Sequence, residues 1–175
     1  MKHTVLVIDD DIMNVQMAQG ILQDEYRVAT ATSGADAFKL LDKIIPDLIL
    51  LDVNMPEMDG FQVLEELKKR EDTKKIPVIF LTAEQSADVE TAALAAGAKD
   101  FVSKPFNPSV LMNRMKHSID MQMYQQHLEH MVSTQIEAII KYKNQINHIQ
   151  QEMIHAMAEI IESRDGSTGE HVKRT

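Results

Sequence analysis

Three carboxylates, a hydroxyl and an ammonium close or follow short apolar runs of this sequence, and together they could do phosphate chemistry. The residues are Asp9, Asp10, Asp52, Thr82 and Lys104. Crowded carboxylates repel one another unless a cation lies among them. Oxygen ligands with open positions suit Mg²⁺, which keeps waters and phosphates as its other ligands. Beside such an ion, Asp52 could act as a nucleophile on phosphorus, while Thr82 and Lys104 hold the phosphoryl oxygens.

Each of these residues, taken alone, also fits a structural role. The aspartates Asp9–Asp11 could simply cap the first helix, and Asp52 could be an ordinary loop residue. Thr82 could be a β-branched strand residue, and Lys104 could be a solvated surface residue. The chemical interpretation therefore rests on their joint placement at the ends of four separate strands.

The elements that must position these residues follow from apolar periodicity. Five β-rich runs are TVLVI (4–8), YRVATA (26–31), LILL (48–51), PVIFLT (77–82) and DFVS (100–103). Stretches with helical period separate them, and this alternation predicts an α/β fold in which helices cover both faces of a parallel sheet. Near-continuous apolar strands agree, because parallel strands are buried on both sides. Ligands bind beyond the carboxyl ends of strands in such sheets, where the polar residues would meet.

The intervening stretches predict which side of each helix is buried. The predicted buried residues are Ile12, Val15, Met17, Ile21 and Leu22; Ala37, Phe38, Leu40, Leu41 and Ile44; Phe61, Val63, Leu64 and Leu67; and Val89, Ala92, Ala93 and Ala96.

A long helix is predicted after the last strand, because residues 109–165 contain neither Gly nor Pro. Asn107 is the expected cap, and Pro108 suits the first turn. At 1.5 Å per residue an unbroken helix would extend about 85 Å. That length exceeds the width of a small domain, so we expect the helix to leave the domain.

Residues 125–160 follow a heptad pattern. The a positions are Val132, Ile139, Ile146, Met153 and Ile160, and the d positions are Leu128, Gln135, Tyr142, Ile149 and Ala156. β-branched residues at a favour two parallel helices, so we predict a parallel homodimer through this segment. The alternative is a single helix that packs against a neighbouring domain. The apolar stripe also broadens over 153–161, which favours a larger partner than one helix.

Composition excludes several classes of protein. The 175 residues include no Cys, so a disulfide framework or thiolate metal site is excluded. No apolar run approaches the roughly 20 residues that span a bilayer, and the opening MKHTVLVIDD is not a secretory signal. The net charge is −9, and residues 1–107 hold 11 Lys and Arg against 19 Asp and Glu. We therefore expect a cytoplasmic protein with no membrane or nucleic-acid partner.

Four motifs in order carry a family resemblance. They are VLVIDDD, LLDVNMPEMDG, FLTA (80–83) and DFVSKPF (100–106). Together they resemble the receiver domain of bacterial two-component response regulators, the CheY-like family, over roughly residues 1–120. This resemblance implies a flavodoxin-like, doubly wound, five-stranded parallel sheet in the order 2-1-3-4-5, here followed by a long C-terminal helical extension.

The resemblance also implies roles for the polar residues. Asp52 would be the phosphoacceptor that takes a phosphoryl group from a sensor histidine kinase. Asp9, Asp10, Asp52 and the backbone carbonyl of Asn54 would bind Mg²⁺. Lys104 would pair with the phosphate.

A conformational switch is part of the same resemblance. The Thr82 hydroxyl would move to bond the phosphate, and Phe101 would occupy the aromatic switch position that is often Tyr in the family. The alternative for Phe101 is plain core packing. The peptide bond between Lys104 and Pro105 would be cis.

The last stretch, AEIIESRDGSTGEHVKRT, resembles the opening of HD-GYP domains, which hydrolyse cyclic di-GMP at a metal cluster. His171 matches the first metal-binding His of that family. The HD pair and the GYP motif are absent, so this chain is not expected to be an enzyme, although its longer parent would be. The predicted division is a receiver domain over 1–120, a helical linker over 121–165 and the start of an HD-GYP-like domain over 166–175.

Two other functions fit parts of the sequence. A haloacid-dehalogenase-like phosphatase also uses an Asp nucleophile with Mg²⁺, but that class has a second Asp two residues later, where this chain has Asn54. An adaptor that dimerises without any phosphorylation would use the long helix alone.

Overall fold

Strands and helices alternate along the chain, as the apolar periodicity predicts. The computed structural model describes the backbone of residues 2–83 and 87–171, with side chains over the same ranges except 87–90 and 163–171. The elements in that part of the chain are β1 (Thr4–Ile8), α1 (Ile12–Leu22), β2 (Arg27–Ala31), α2 (Gly34–Leu41), β3 (Leu48–Asp52), α3 (Gly60–Lys69), β4 (Val78–Thr82), α4 (Ala87–Ala95), β5 (Asp100–Ser103) and α5 (Pro108–His171).

All five strands form one parallel sheet in the order β2-β1-β3-β4-β5. This confirms the predicted doubly wound, flavodoxin-like fold. The central strands β3 and β4 are buried along their whole length, which explains why their sequences are continuously apolar rather than alternating.

Alternate strand residues build two core layers on opposite faces of the sheet, because successive side chains of a strand point in opposite directions. Leu6 and Ile8 lie in the layer that α2, α3 and α4 cover. Val5 and Val7 lie in the layer that α1 and α5 cover. Helices therefore pack on both faces of the sheet, so the strand ends hold their polar side chains in fixed positions.

The predicted buried faces are correct for two helices and partly wrong for two others. Ala37 and Leu41 in α2, and Val63, Leu64 and Leu67 in α3, are buried as predicted. The other predicted residues of these two faces are half-buried: Phe38, Leu40, Ile44 and Phe61. In α1 the buried stripe is instead Val15, Ala18 and Leu22, while Ile12 and Met17 are 60% and 46% exposed. In α4, Ala93 is buried, but Ala92 and Ala96 are exposed, and the side chain of Val89 lies outside the described residues. The small Ala18 lies in the stripe because α1 packs closely on the sheet, and apolar character alone does not reveal that contact.

Helix α5 begins where the sequence predicts. The Asn107 side chain accepts hydrogen bonds from the backbone N–H groups of Ser109 at 3.1 Å and Val110 at 3.3 Å, so Asn107 is the cap. The helix continues to His171, beyond the Gly-free and Pro-free stretch.

The chain forms two compact units, Met1–Gln125 and Gln126–Thr175. The first contains the sheet. The second is helical over its described residues, 126–171. No helix in the described ranges combines the length and apolar character that a bilayer span requires.

Gly60 allows α3 to begin directly against the end of β3. Helix α3 starts with a capping box in which Asp59 and Gln62 exchange side-chain and backbone hydrogen bonds of 2.8 and 3.0 Å. A Cβ on Gly60 would lie 2.3 Å from the backbone oxygen of Asp52, 2.9 Å from Phe80 and 3.0 Å from Val53 Cα. Two of these neighbours are rigid backbone, so a side chain here must displace α3 from the strand.

Gly60→Ala should therefore lower the free energy of unfolding by about 2 kcal/mol, the cost of overpacking a rigid core. Gly20→Ala is the matched control, because a Cβ there meets nothing within 4 Å. That change should raise the free energy of unfolding by up to about 1 kcal/mol, since Ala favours a helix over Gly. Urea denaturation measures both, and equal effects of the two substitutions would contradict this account of Gly60.

Candidate functional site

The polar residues singled out from the sequence meet at the carboxyl edge of the sheet. Asp9 directly follows β1, Asp52 is the last residue of β3, and Thr82 is the last residue of β4. These three side chains are almost fully buried, with exposed fractions of 0%, 4% and 2%. Since β1, β3 and β4 are adjacent and parallel, their ends bring these groups side by side.

A carboxylate cluster lies at this edge. One carboxylate oxygen from each of Asp9, Asp10 and Asp52 lies within 4.8 Å of the others, and within the described ranges this is the one such group of three or more potential metal ligands. Asp9 and Asp52 are buried, whereas Asp10 is exposed. The cluster thus has a buried floor and an open side.

Helix capping and the carboxylate cluster are divided among three consecutive aspartates. Asp11 caps α1, because its side chain accepts a 2.9 Å hydrogen bond from the backbone N–H of Met13. Asp9 Oδ1 accepts hydrogen bonds from the Asp11 backbone N–H at 3.0 Å and from Asn14 Nδ2 at 3.2 Å. Capping therefore does not account for Asp9 or Asp10. Asn14 fixes the Asp9 carboxylate, and the sequence held no pattern that could have singled it out.

Lys104 joins the cluster and is not a solvated surface residue. Its Nζ lies 2.6 Å from Asp9 Oδ2 and 2.8 Å from Asp52 Oδ1, and its side chain is only 15% exposed. The peptide bond that links it to Pro105 is cis, as predicted. One ammonium therefore bridges acids from two separate strands.

Burial and the contact between Asp52 and Lys104 have opposite effects on the pKa values of these two residues. Burial raises the pKa of the Asp52 carboxyl above its ordinary value, and the charges of Asp9 and Asp10 add to that rise. The hydrogen bond and charge of Lys104 act in the opposite direction without cancelling it. Burial tends to lower the pKa of Lys104, but its contacts with Asp52 and Asp9 outweigh burial and leave that pKa raised.

Asn54 lies in the loop between β3 and α3, two residues beyond Asp52, and is exposed. In the same loop Glu57 has a φ of 65°, a left-handed conformation that non-glycine residues seldom adopt. The loop therefore turns sharply after β3. Asn54 is the residue of this loop to which the family resemblance gives a role.

Phe101 lies on β5, opposite Phe80 in the strand register, and is half-buried against the core layer of α2, α3 and α4. The guanidinium of Arg114 on α5 lies 5.5 Å from the Phe101 ring centroid. Arg114 also pairs with Asp100, the residue before Phe101. Sequence reasoning missed Arg114, since one basic residue on an amphipathic helix gives no signal of its partner.

Comparison with known proteins identifies the family. Residues 5–116 match the model of the response regulator receiver domain. The chain therefore belongs to the response regulator receiver domain family. This confirms the resemblance inferred from the four motifs.

One relative matches along nearly the whole chain. It is a Vibrio cholerae serotype O1 protein named as a probable cyclic di-GMP phosphodiesterase, 33% identical over 173 residues. The match covers 98% of this chain but 39% of that protein. This chain thus spans well under half the length of that relative.

Two solved structures are similar to the sheet-containing part. The chemotaxis protein CheY4 of Vibrio cholerae is 35% identical with a TM-score of 0.64, over 67% of this chain and 99% of that one. The receiver domain of a Pseudomonas aeruginosa PAO1 sensor histidine kinase is 26% identical with a TM-score of 0.63, over 69% of this chain and 99% of that one. That structure has a magnesium ion coordinated in its active-site cleft.

The raised pKa of Asp52 predicts a pH-dependent gain in stability for Asp52→Asn. A raised pKa means that the folded protein favours the protonated carboxyl, so the ionised form costs stability at neutral pH. Asp52→Asn should therefore raise the free energy of unfolding at pH 7 by on the order of 1 kcal/mol. The gain should shrink as the pH falls toward the ordinary pKa of Asp, and it should vanish below that pH, where Asp52 is protonated in the folded and unfolded states alike.

Urea denaturation across this pH range measures the effect in buffer without divalent cations. Asp24→Asn is the control, because it removes the same charge from an exposed position and should change stability little. A less stable Asp52→Asn protein at pH 7 would mean that the attraction to Lys104 exceeds burial and repulsion, and would contradict a raised pKa for Asp52.

Proposed function

We propose that this chain is a phosphorylatable signal receiver in which Asp52 accepts a phosphoryl group from a sensor histidine kinase in a Mg²⁺-dependent reaction. The observation that carries the proposal is the convergence of Asp9, Asp10 and Asp52 within 4.8 Å, with Lys104 bridging two of them. Membership of the receiver family supports it as well.

The donor set fits Mg²⁺. Oδ2 of Asp9 is buried and makes no directed hydrogen bond, although Lys104 Nζ lies 2.6 Å away. This oxygen therefore has lone-pair capacity for a cation, and the exposed Asp10 carboxylate offers a second oxygen from the open side. We assign the remaining protein ligands to Asp52 and the backbone carbonyl of Asn54. When bound, Mg²⁺ would neutralise the crowded carboxylates and orient phosphoryl oxygens.

We propose that the surroundings of Asp52 favour phosphoryl transfer to its carboxylate. A carboxylate oxygen of Asp52 forms a bond to phosphorus as the phosphorus–nitrogen bond of the kinase phosphohistidine breaks, and the electron pair leaves with the imidazole nitrogen. Asp52 must be ionised to attack, and Lys104 at 2.8 Å favours that form. After transfer, Lys104 pairs with the added phosphoryl charge.

The same geometry supports a switch. Thr82 ends β4, which lies between the strands of Asp52 and Phe101. We propose that its hydroxyl turns toward a phosphoryl group on Asp52. That movement would vacate space for Phe101 to repack. Because Arg114 contacts both the Phe101 ring and Asp100, repacking of Phe101 would disturb its contacts with α5.

An exposed apolar surface beside the cluster supports a protein phosphodonor. Ile12, Met13 and Met17 on α1 are 60%, 74% and 46% exposed, and α1 begins directly after the three aspartates. Exposed apolar side chains next to a reactive group suit contact with another protein. We propose that this part of α1 contacts the kinase.

Treatment with Mg²⁺ and a small phosphodonor should yield a one-phosphate adduct, which intact-mass spectrometry detects. Asp52→Asn should abolish the adduct, and chelation of Mg²⁺ should slow its formation. Lys104→Ala should also reduce it, since the ion pair with Asp52 is lost. Lys39→Ala is the control, because Lys39 pairs with Asp36 on α2 and should react like the wild type.

The other functions predict different outcomes of the same experiment. Turnover of an added phosphoester would support a phosphatase, although Asn54 lacks the second carboxylate of that class. Absence of any adduct in the wild-type protein would support an adaptor that works without phosphorylation, and would overturn the receiver proposal.

We also propose a parallel homodimer through the second unit. The apolar residues at the a and d positions are exposed in the single chain, with exposed fractions from 43% for Leu128 to 66% for Tyr142. A row of isoleucines this exposed needs a partner, and the β-branched a positions favour two parallel helices.

We further propose that this chain is part of a longer protein and that its signal controls an output domain there. The relative named as a probable cyclic di-GMP phosphodiesterase aligns with 98% of this chain, so we propose a phosphodiesterase output of the HD-GYP type. The side chains of the predicted HD-GYP start, that of His171 among them, lie outside the described residues. The predicted division at residues 120 and 165 stays a prediction, and this chain is proposed to be the non-enzymatic receiver and linker.

Ile146→Asp should weaken the dimer at least about thirtyfold, because burying an unpaired charge at an a position costs about 2 kcal/mol or more. Asn144→Asp is the matched control, since it adds the same charge outside the a and d positions. Sedimentation equilibrium measures both. A wild-type protein that stays monomeric at high concentration, or equal weakening by the two variants, would contradict the proposed seam.

A further inference from the structure

A cavity lined by lysines lies at the edge of the sheet opposite the carboxylate cluster. Its volume is about 220 Å³. It opens where Pro77 leads into β4 and Lys99 leads into β5. The lining residues are Lys68, Lys74, Lys75, Ile76, Pro77, Gly97, Lys99, Gln122 and Gln125.

The positive charge of this cavity is unusual for the chain, whose net charge is −9. No carboxylate lies within ion-pair distance of Lys68 or Lys99 among the residues that the structure describes. Lys74 pairs with Glu71 at 2.6 Å, but Glu71 is 87% exposed and accessible to solvent. The two acids that precede Lys68 in the sequence, Glu65 and Glu66, pair with Lys69.

Lys68 is held in the cavity rather than extended into water. Its Nζ donates a 3.1 Å hydrogen bond to the backbone carbonyl of Lys74, which leaves further donors on the ammonium. Burial lowers the pKa of Lys68, and the charge of Lys99 lowers it further. Lysine side chains normally keep their charged ends apart in solvent. Lys68 and Lys99 line the same cavity, and two like charges facing one space favour an anion between them.

The geometry points to a binding site for a small phosphate-bearing anion in this cavity. Lysines are point-charge donors that suit a compact, multiply charged group, whereas planar carboxylates are best matched by Arg forks. The lining contains four lysines and no Arg. Gln122 and Gln125 add neutral amides, and the buried Ile76 and Pro77 offer an apolar wall. A phosphate ester with a small organic group fits that combination.

Occupation of the site would tie the sheet edge to α5. Lys74 and Lys99 belong to the loops that enter β4 and β5, while Gln122 and Gln125 belong to α5. A bound anion would therefore stiffen α5 at residues 122–125. This input is separate from Asp52, and it does not depend on the proposed phosphorylation.

Amide NMR titration of the whole chain with inorganic phosphate and pyrophosphate, in chelator without Mg²⁺, tests the site. Both anions should shift the amides of 74–76, 97–99 and 122–125 saturably, with pyrophosphate the tighter ligand. The double variant Lys68→Gln/Lys99→Gln should bind pyrophosphate about tenfold more weakly or worse, because charged hydrogen bonds are lost. The single variant Lys99→Gln should also weaken pyrophosphate binding. Because Lys99 is exposed, this substitution does not disturb the core.

The control double variant is Lys39→Gln/Lys43→Gln, which removes the same charge from α2 and the loop that follows it. Its affinity should stay within about twofold of the wild type, since distant exposed charges are screened. Equal weakening by both pairs, no saturable shift with either phosphate, or shifts confined to residues around Asp52 would overturn the proposal. The same amides shifting with acetate or a glutamate-rich peptide, but not with the phosphates, would overturn it in favour of a carboxylate ligand.

Discussion

The bridge from Lys104 to Asp9 and Asp52 is the interaction on which the site depends. Three acids at one edge would otherwise repel one another in a poorly solvated place. The ammonium relieves that repulsion, yet leaves the Asp9 and Asp10 oxygens with capacity for a cation. The bridge requires the sheet order, because β1 and β3 must be adjacent to bring Asp9 beside Asp52. It also requires β5 to end on the same edge, so that Lys104 reaches both acids.

The architecture and the convergence of these polar residues at one edge of the sheet could be predicted, because both follow from local patterns in the sequence. Strands buried on both faces give continuous apolar runs, and a polar residue at the end of such a run must lie at the sheet edge. The start of α5 was readable for a similar reason, since Asn107 and Pro108 form a local capping signal.

Features that depend on tertiary contact could not be predicted. The buried stripe of α1 runs through the small Ala18 rather than Met17, because close packing on the sheet selects size as well as apolar character. Without the family resemblance, three consecutive aspartates look equivalent in sequence, and only backbone geometry assigns capping to Asp11 and the cluster to Asp9 and Asp10. Asn14 acts through Asp9, and Arg114 acts through Asp100 and Phe101 on another element. Periodicity gave no indication of either contact. The extension of α5 to His171 shows that Gly166 did not end the helix, consistent with the modest cost of Gly in helices.

The parallel arrangement of the strands has an electrostatic consequence. Aspartates collect where the strands end and lysines where two of them begin, so the sheet-containing unit is an electric dipole with its negative pole at Asp52. A dipole orients a charged molecule before contact and raises the rate of productive encounter. A partner with a positive surface would thus arrive at the acidic edge already turned toward it, and increasing ionic strength would slow that approach.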